Sequence, residues 1–176
     1  MALNHILKLV VAFFVGLIVF RFSLEIWKNI DIELILFSFF LLTLVFIPFI
    51  GYEANGASRW IRLFGFSIQP SELMKFSLIV YISSYCYRRM TEFKEKWIGF
   101  WKPVLVVVLA IALVLLEPDL GSSAVIFLIS LTIMFIAGAP LKQMSIILFM
   151  GSMVFVSMII LVPWRMQRIL SFVDPW

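Results

Sequence analysis

The sequence predicts an all-α, polytopic membrane protein with about six transmembrane helices. Two observations carry that prediction. Of the 176 residues 64% are hydrophobic and only 14% charged, with a mean hydropathy of +1.12, whereas a soluble domain is nearer half apolar and a quarter charged. The apolar residues also fall into six runs, with the polar and helix-breaking residues gathered between them. Nineteen Phe and six Trp suit the same class, because aromatic side chains collect at the two membrane interfaces.

The first run is Ile6–Phe22, the second Leu34–Ile50 and the third Pro70–Tyr87. Pro103–Leu116, Ser122–Ala139 and Met144–Val162 follow. Each is expected to be a helix, since an open strand cannot satisfy its backbone groups in lipid. The fourth is short for a crossing and is expected to borrow from Glu117–Gly121 or to lie in a thinned region. The first lacks a small-residue cleavage site and reads as a retained span. Six such spans fill the chain, so residues 1–176 form a single transmembrane domain without a soluble one, an internal repeat or a Gly/Ser-rich linker.

Charge sets the expected orientation. Loops at one end carry Arg21, Lys28, Arg88, Arg89, Lys94, Lys96, Lys102 and Lys142, against Lys8, Arg59, Arg62, Arg165 and Arg168 at the other. The first set is therefore expected in the cytosol, with both termini and Gly51–Ile68 outside. Residues 88–102 are expected to be a cytosolic amphipathic helix, because Met90, Phe93, Trp97 and Trp101 recur at three- and four-residue spacing among Lys and Glu. That segment reads as a basic anchor, or as a docking surface for a cytosolic partner. An N-terminus starting outside with almost no leader, and an end at Trp176 without a tail, read as an internal or truncated piece of a larger membrane protein.

Other classes recede. The net charge of +4 sits in loops and suits membrane lipids with anionic headgroups; no stacking platform or basic stripe points to nucleic acid. A lone Cys86 excludes an internal disulfide, and a lone His5 makes a His-based metal site improbable. No cofactor is indicated. A divalent cation is compatible with Glu117 and Asp119, but no ligand set calls for one.

Four polar stretches remain. Gln69-Pro70-Ser71-Glu72 is a helix start: Pro70 suits the first helical position, Gln69 is pushed into an extended conformation, and Glu72 meets the positive end of the helix dipole. Lys75 shares a helical face with Glu72. The two read as a cavity-facing pair or as a structural ion pair. Upstream, Asn55-Gly56 signals a turn, and Arg59 and Arg62 read either as phosphate ligands or, with Trp60, as interfacial anchors. Glu117-Pro118-Asp119-Leu120-Gly121 joins two spans. Its carboxylates are expected near solvent, with Asp119 capping the next helix in preference to binding a cation or amino sugar, and Gly121 is expected to supply an unusual backbone angle. Arg165 and Arg168, within Pro163–Trp176, mark a basic outer edge.

Three of these stretches, NGASRWI…IQPSE..K, EPDLG and PWRMQRILSFVDPW, occur in the order and at about the separations found in the SEDS family (FtsW, RodA and SpoVE), which the chain resembles over nearly its whole length, most closely in the division branch. The resemblance implies a peptidoglycan glycosyltransferase that polymerises lipid II, the undecaprenyl-diphosphate-linked precursor, during septal wall synthesis in the bacterial cytoplasmic membrane. It implies Glu72 and Lys75 in a central cavity, with Arg59 and Gln69 nearby, and residues 163–176 as the start of a large extracytoplasmic loop. The family's catalytic Asp, taken as a general base, is expected beyond Trp176, so the piece alone is expected to be inactive. A class B penicillin-binding transpeptidase and other divisome proteins are the implied partners. A lipid II flippase and a non-catalytic divisome scaffold are the competing readings.

Overall fold

The computed structural model describes residues 2–47, 51–54, 57–63 and 66–162. All six expected spans are present as helices. In chain order they are α1 (Ala2–Arg21), α3 (Asp31–Leu44), α4 (Pro70–Arg88), α6 (Trp97–Leu116), α7 (Leu120–Ile136) and α8 (Leu141–Ile160). Two short helices, α2 (Leu24–Asn29) and α5 (Met90–Glu95), occupy connections at one end. The chain is thus a polytopic helical membrane protein.

α4 is the central helix, packed against α3, α6 and α7. Its buried face, Met74, Leu78, Ile82 and Tyr85, meets Leu42 of α3, Phe100, Val107 and Val114 of α6, and Ile126 and Met134 of α7 in one continuous core. Serines let these helices approach closely, as small residues do within membranes. Ser38 and Ser77 share a 2.6 Å hydrogen bond between α3 and α4, and each also donates to, or lies within reach of, the carbonyl four residues back in its own helix. α8 touches chiefly α7, and the described side chains of α1 are exposed almost throughout.

Residues 88–102 are not one amphipathic helix. The helix breaks at Lys96, whose backbone is extended (φ −102°, ψ 129°), and α6 begins at Trp97. The fourth span is therefore lengthened to 20 residues at its Trp97 end, and borrows nothing from Glu117–Gly121. Pro103 lies inside it because the cost of a mid-helix proline is met locally. Proline has no N–H to give the carbonyl four residues back, here Gly99, and that carbonyl instead accepts a 2.8 Å bond from the Tyr85 hydroxyl. Glycine is required at 99 because a Cβ there would collide with the Glu92 backbone carbonyl. The fold-back of α5 onto α6 buries Phe93 and Phe100 completely, with ring centroids 5.7 Å apart.

Residues 51–54, 57–63 and 66–68 form a three-stranded antiparallel sheet that the sequence did not announce. β1 (Gly51–Ala54) pairs with β2 (Ala57–Leu63), which pairs with β3 (Phe66–Ile68). Tyr52 opposes Trp60 and Glu53 opposes Ser58, so Arg59 has no partner on β1. Such bulges re-aim a side chain. The sheet does not breach the membrane rule, because it belongs to a connection between spans.

The basic connections do share one end of the bundle. Arg88 binds Asp31 in bidentate fashion at 2.5 and 3.2 Å and also donates to the Lys28 carbonyl. Lys28 lies 4.2 Å from the Tyr87 ring centroid. The stem of Lys94 lies 2.8 Å from where a Cβ on Gly138 would stand, and Gly138 has a φ of +85°, a conformation natural to glycine just past a helix end.

Asp31 is buried while the Arg88 side chain is 40% exposed, so the two partners are unequal. Arg88→Ala strands a carboxylate away from water and is expected to cost about 3 kcal/mol. Asp31→Asn leaves a cation that water can reach and is expected to cost about 1 kcal/mol. Thermal unfolding of the two variants in detergent checks the order.

Candidate functional site

The polar residues opposite the basic end converge on one turn. Pro118 interrupts the run from α6 to α7, and Asp119 restarts it as the N-cap of α7, its Oδ1 accepting from the Ser122 amide at 3.0 Å. Oδ2 accepts from the Ser122 hydroxyl at 2.7 Å and from Gln69 Nε2 at 3.0 Å. The Asp119 carbonyl takes a further bond from Ser123 Oγ. Gln69 is the residue just before α4, so one carboxylate ties together the first turns of α4 and α7. Ser71 Oγ and Ser122 Oγ, 3.4 Å apart, continue the contact.

Arg59 closes the turn from the sheet side. Its Nε donates to the Glu117 carbonyl at 3.0 Å and its Nη2 to the Pro118 carbonyl at 2.5 Å. The turn's carbonyls are left over by the end of α6 and by proline, and a guanidinium presents two parallel donors to match them. The bulge in β2 places Arg59 to do this. Arg62, three residues on, is exposed.

Glu117 and Asp119 differ from the sequence expectation. Neither is near solvent: they are 1% and 7% exposed, because β2 and the start of α4 fold over the turn. Asp119 is fully engaged by donors and is unsuited to a cation. Glu117 has no hydrogen-bond partner for either carboxylate oxygen. Burial pushes its carboxyl up to about 8, reinforced by the neighbouring Asp119 charge and opposed by Arg59, so at neutral pH it carries a proton. Gly121 lies inside the first turn of α7, and Gly138 is the glycine of positive φ among the described residues; the unusual angle expected at Gly121 is absent.

Glu72 and Lys75 stand apart from this knot. Lys75 Nζ lies 2.7 Å from Glu72 Oε1 across one turn of α4. The Lys75 side chain is 18% exposed and that of Glu72 62%. Glu72 therefore projects on the uncovered side of α4, which it shares with Ile79, Ser83 and Tyr87, while Lys75 is mostly covered beside it. Arg165 and Arg168, with the rest of 163–176, lie outside the described residues. Among those described, no cluster of His, Cys, Asp and Glu has the makings of a metal site. The knot could have been suspected from Gln69 and Asp119 each flanking a helix start, but the burial of Glu117 follows from tertiary folding alone.

Fold and site together define a multi-pass helical membrane protein in which a small sheet and a capped turn are locked over one end of the bundle. Residues 1–176 match the family model described as "Cell cycle protein", that of FtsW, RodA and SpoVE. The chain belongs to that family, which places it in the cytoplasmic membrane. A relative from Saccharophagus degradans, named probable peptidoglycan glycosyltransferase FtsW, is 40% identical over 92% of this chain and 42% of its own length. A chain in a structure entitled "Structural coordination of polymerization and crosslinking by a peptidoglycan synthase complex" superposes with a TM-score of 0.74, at 26% identity, over 97% of this chain and 50% of that one. Thermus thermophilus rod shape determining protein RodA gives a TM-score of 0.62 at 27% identity, over 75% and 42%. The chain spans less than half the length of the curated relatives it matches.

Because the buried Glu117 holds its proton in the folded state and releases it at ordinary carboxylate pH when unfolded, its contribution to stability is full below about pH 4.5 and is lost as pH rises through about 8. Wild type is expected to lose melting temperature between pH 5 and 8.5. Glu117→Gln, neutral throughout, is expected to show a flatter profile in the same detergent scan.

Proposed function

We propose that this chain supplies part of a peptidoglycan glycosyltransferase that polymerises lipid II during septal wall synthesis, alongside a class B penicillin-binding transpeptidase. Membership of the FtsW, RodA and SpoVE family supports the reading, as do relatives named for that transferase activity and the synthase-complex neighbour. The observation that carries it to particular residues is the Glu72–Lys75 pair. Two opposite charges in the first turns of a membrane helix, with Glu72 largely uncovered, require polar surroundings, because bare hydrocarbon does not accept them. A substrate cavity provides those surroundings. A diphosphate-linked sugar supplies anions for Lys75 and hydroxyls for Glu72.

In this reading Glu72 and Lys75 line the cavity, and Arg59 and Gln69 position its rim by fixing the sheet and α4 to the Glu117–Asp119 turn. Arg62 is kept as a candidate contact to the diphosphate. The same cavity would serve a flippase, and no feature of the described residues favours that over polymerisation.

In the complete polymerase that contains these residues, Glu72→Ala and Lys75→Ala are each expected to lower lipid II polymerisation at least about tenfold, equivalent to ~1.4 kcal/mol of lost stabilisation. A gel assay of glycan strands from labelled lipid II reads the effect. Normal rates in both variants would mean that the pair has no part in the chemistry. Loss of lipid II translocation in vesicles, with polymerisation intact, would favour the flippase.

We also assign the basic end of the bundle, with α5 and the residues 89–96 between α4 and α6, to the cytosol, on the positive-inside bias. In a Cys86-free background, Thr91→Cys is expected to react with impermeant thiol reagents from the cytosolic side only, and Ser67→Cys from the opposite side only. Both positions are exposed.

A further inference from the structure

A cavity of about 560 Å³ opens at the basic end, between α3, α4 and α5. It lies within the range of about 300–1,000 Å³ usual for small-molecule sites. Its lining changes along its length. Tyr81 and Tyr85 stand one turn apart on α4 and line its aromatic and aliphatic end with the half-exposed Ile32 of α3, while Arg88, Arg89 and Glu92 line its charged end. Tyr81 and Arg88 are seven residues apart on one helix, a distance of ~10 Å at about 1.5 Å per residue. A charged end and an aromatic and aliphatic end along one helix fit an amphiphile lying along α4 better than they fit a soluble ion.

The charged end also specifies the head. Arg88 is committed to Asp31 and the Lys28 carbonyl. Arg89 and Glu92 pair with each other at 3.1 and 3.2 Å across one turn, both partly exposed. An exposed pair of this kind contributes little by itself, so a ligand bearing both charges can replace each partner like for like. We propose that the cavity seats the headgroup of a zwitterionic aminophospholipid, phosphate on Arg89 and primary ammonium on Glu92, with the glycerol reaching Tyr81 and Ile32. Before the ligand arrives, the hydrogen bond from Arg89 holds the Glu92 carboxyl below the usual range, and the ammonium takes over that donor's place. Lys102 Nζ stands 4.0 Å from Glu92, too far for a good hydrogen bond, so an anionic lipid without an amine satisfies Arg89 but gives Glu92 no donor in its place. A trimethylammonium head has no N–H to offer Glu92.

The test is lipid retention by the purified chain in detergent, read by native mass spectrometry. Phosphatidylethanolamine, phosphatidylglycerol and phosphatidylcholine of matched acyl chains are offered separately. Phosphatidylethanolamine is expected to be retained about tenfold more tightly than phosphatidylglycerol, the scale of one charge-assisted hydrogen bond. Glu92→Gln is expected to abolish that preference, Glu92→Asp to keep part of it, and Arg89→Gln to weaken both lipids. Acyl-free glycerophosphoethanolamine is expected not to bind. Equal retention of the first two lipids by wild type would overturn the proposal. So would a preference unchanged in Glu92→Gln, or binding of glycerophosphoethanolamine as tight as that of the lipid. Glu92 lies at the surface of α5, and melting temperatures without added lipid verify that each variant is folded.

Discussion

The Asp119 carboxylate is the interaction on which the rest of the arrangement depends. One side chain caps α7, holds the Ser122 hydroxyl and receives Gln69 from the start of α4. Water does not reach this place to satisfy loose donors, so each unpaired amide or hydroxyl would cost on the order of 1–3 kcal/mol. Asp119 answers three donors at once. With α4 and α7 fixed at their first turns, the register of their buried faces down to Met134 and Ile82 is set. The Glu117 and Pro118 carbonyls are likewise held where Arg59 can reach them.

The opposite end of α4 is held by a different chemistry. There the Arg88–Asp31 ion pair joins α4 to α3, and the Tyr85 hydroxyl joins α4 to α6 by taking up the carbonyl that Pro103 leaves unpaired. Neutral donors around one carboxylate secure one end, and a full ion pair secures the other. The difference follows from hydration: the Arg88 side chain reaches water and keeps part of its solvation, whereas the Glu117 pocket does not and leaves that carboxyl protonated.

Much of this was legible in the sequence, and the failures have physical causes. Long apolar runs gave all six spans, because a bilayer selects for composition over some 20 residues and little else. The pairing of Glu72 with Lys75 and the capping by Asp119 were readable too, since both are local, spanning three residues. The sheet was not, although Asn55-Gly56 between Gly51–Ala54 and Ala57–Leu63 is a strong hairpin signal; membrane composition drew attention away from strands. The start of the fourth span was misplaced at Pro103 because a proline normally begins or breaks a helix. The hydroxyl that rescues it, on Tyr85, lies in a different helix. Burial of Glu117 was likewise invisible, since it depends on a strand 58 residues earlier in the chain.

Clamping at both ends gives α4 a mechanical character that bears on its charged pair. A helix free to rotate in a bilayer would turn Glu72 and Lys75 away from lipid and toward whatever polar surface was nearest. α4 cannot do so: Gln69 binds Asp119 just before its first turn, and Arg88 binds Asp31 in its last. Rotation about the axis would break both contacts and pull Tyr85 from the Gly99 carbonyl. The pair is therefore held at a fixed azimuth, one turn below the knot that Arg59 closes. In the proposed function, fixed charges of this kind meet a charged substrate without reorganisation. The two clamps thus fix the direction in which the ion pair points as well as the packing of the helix that carries it.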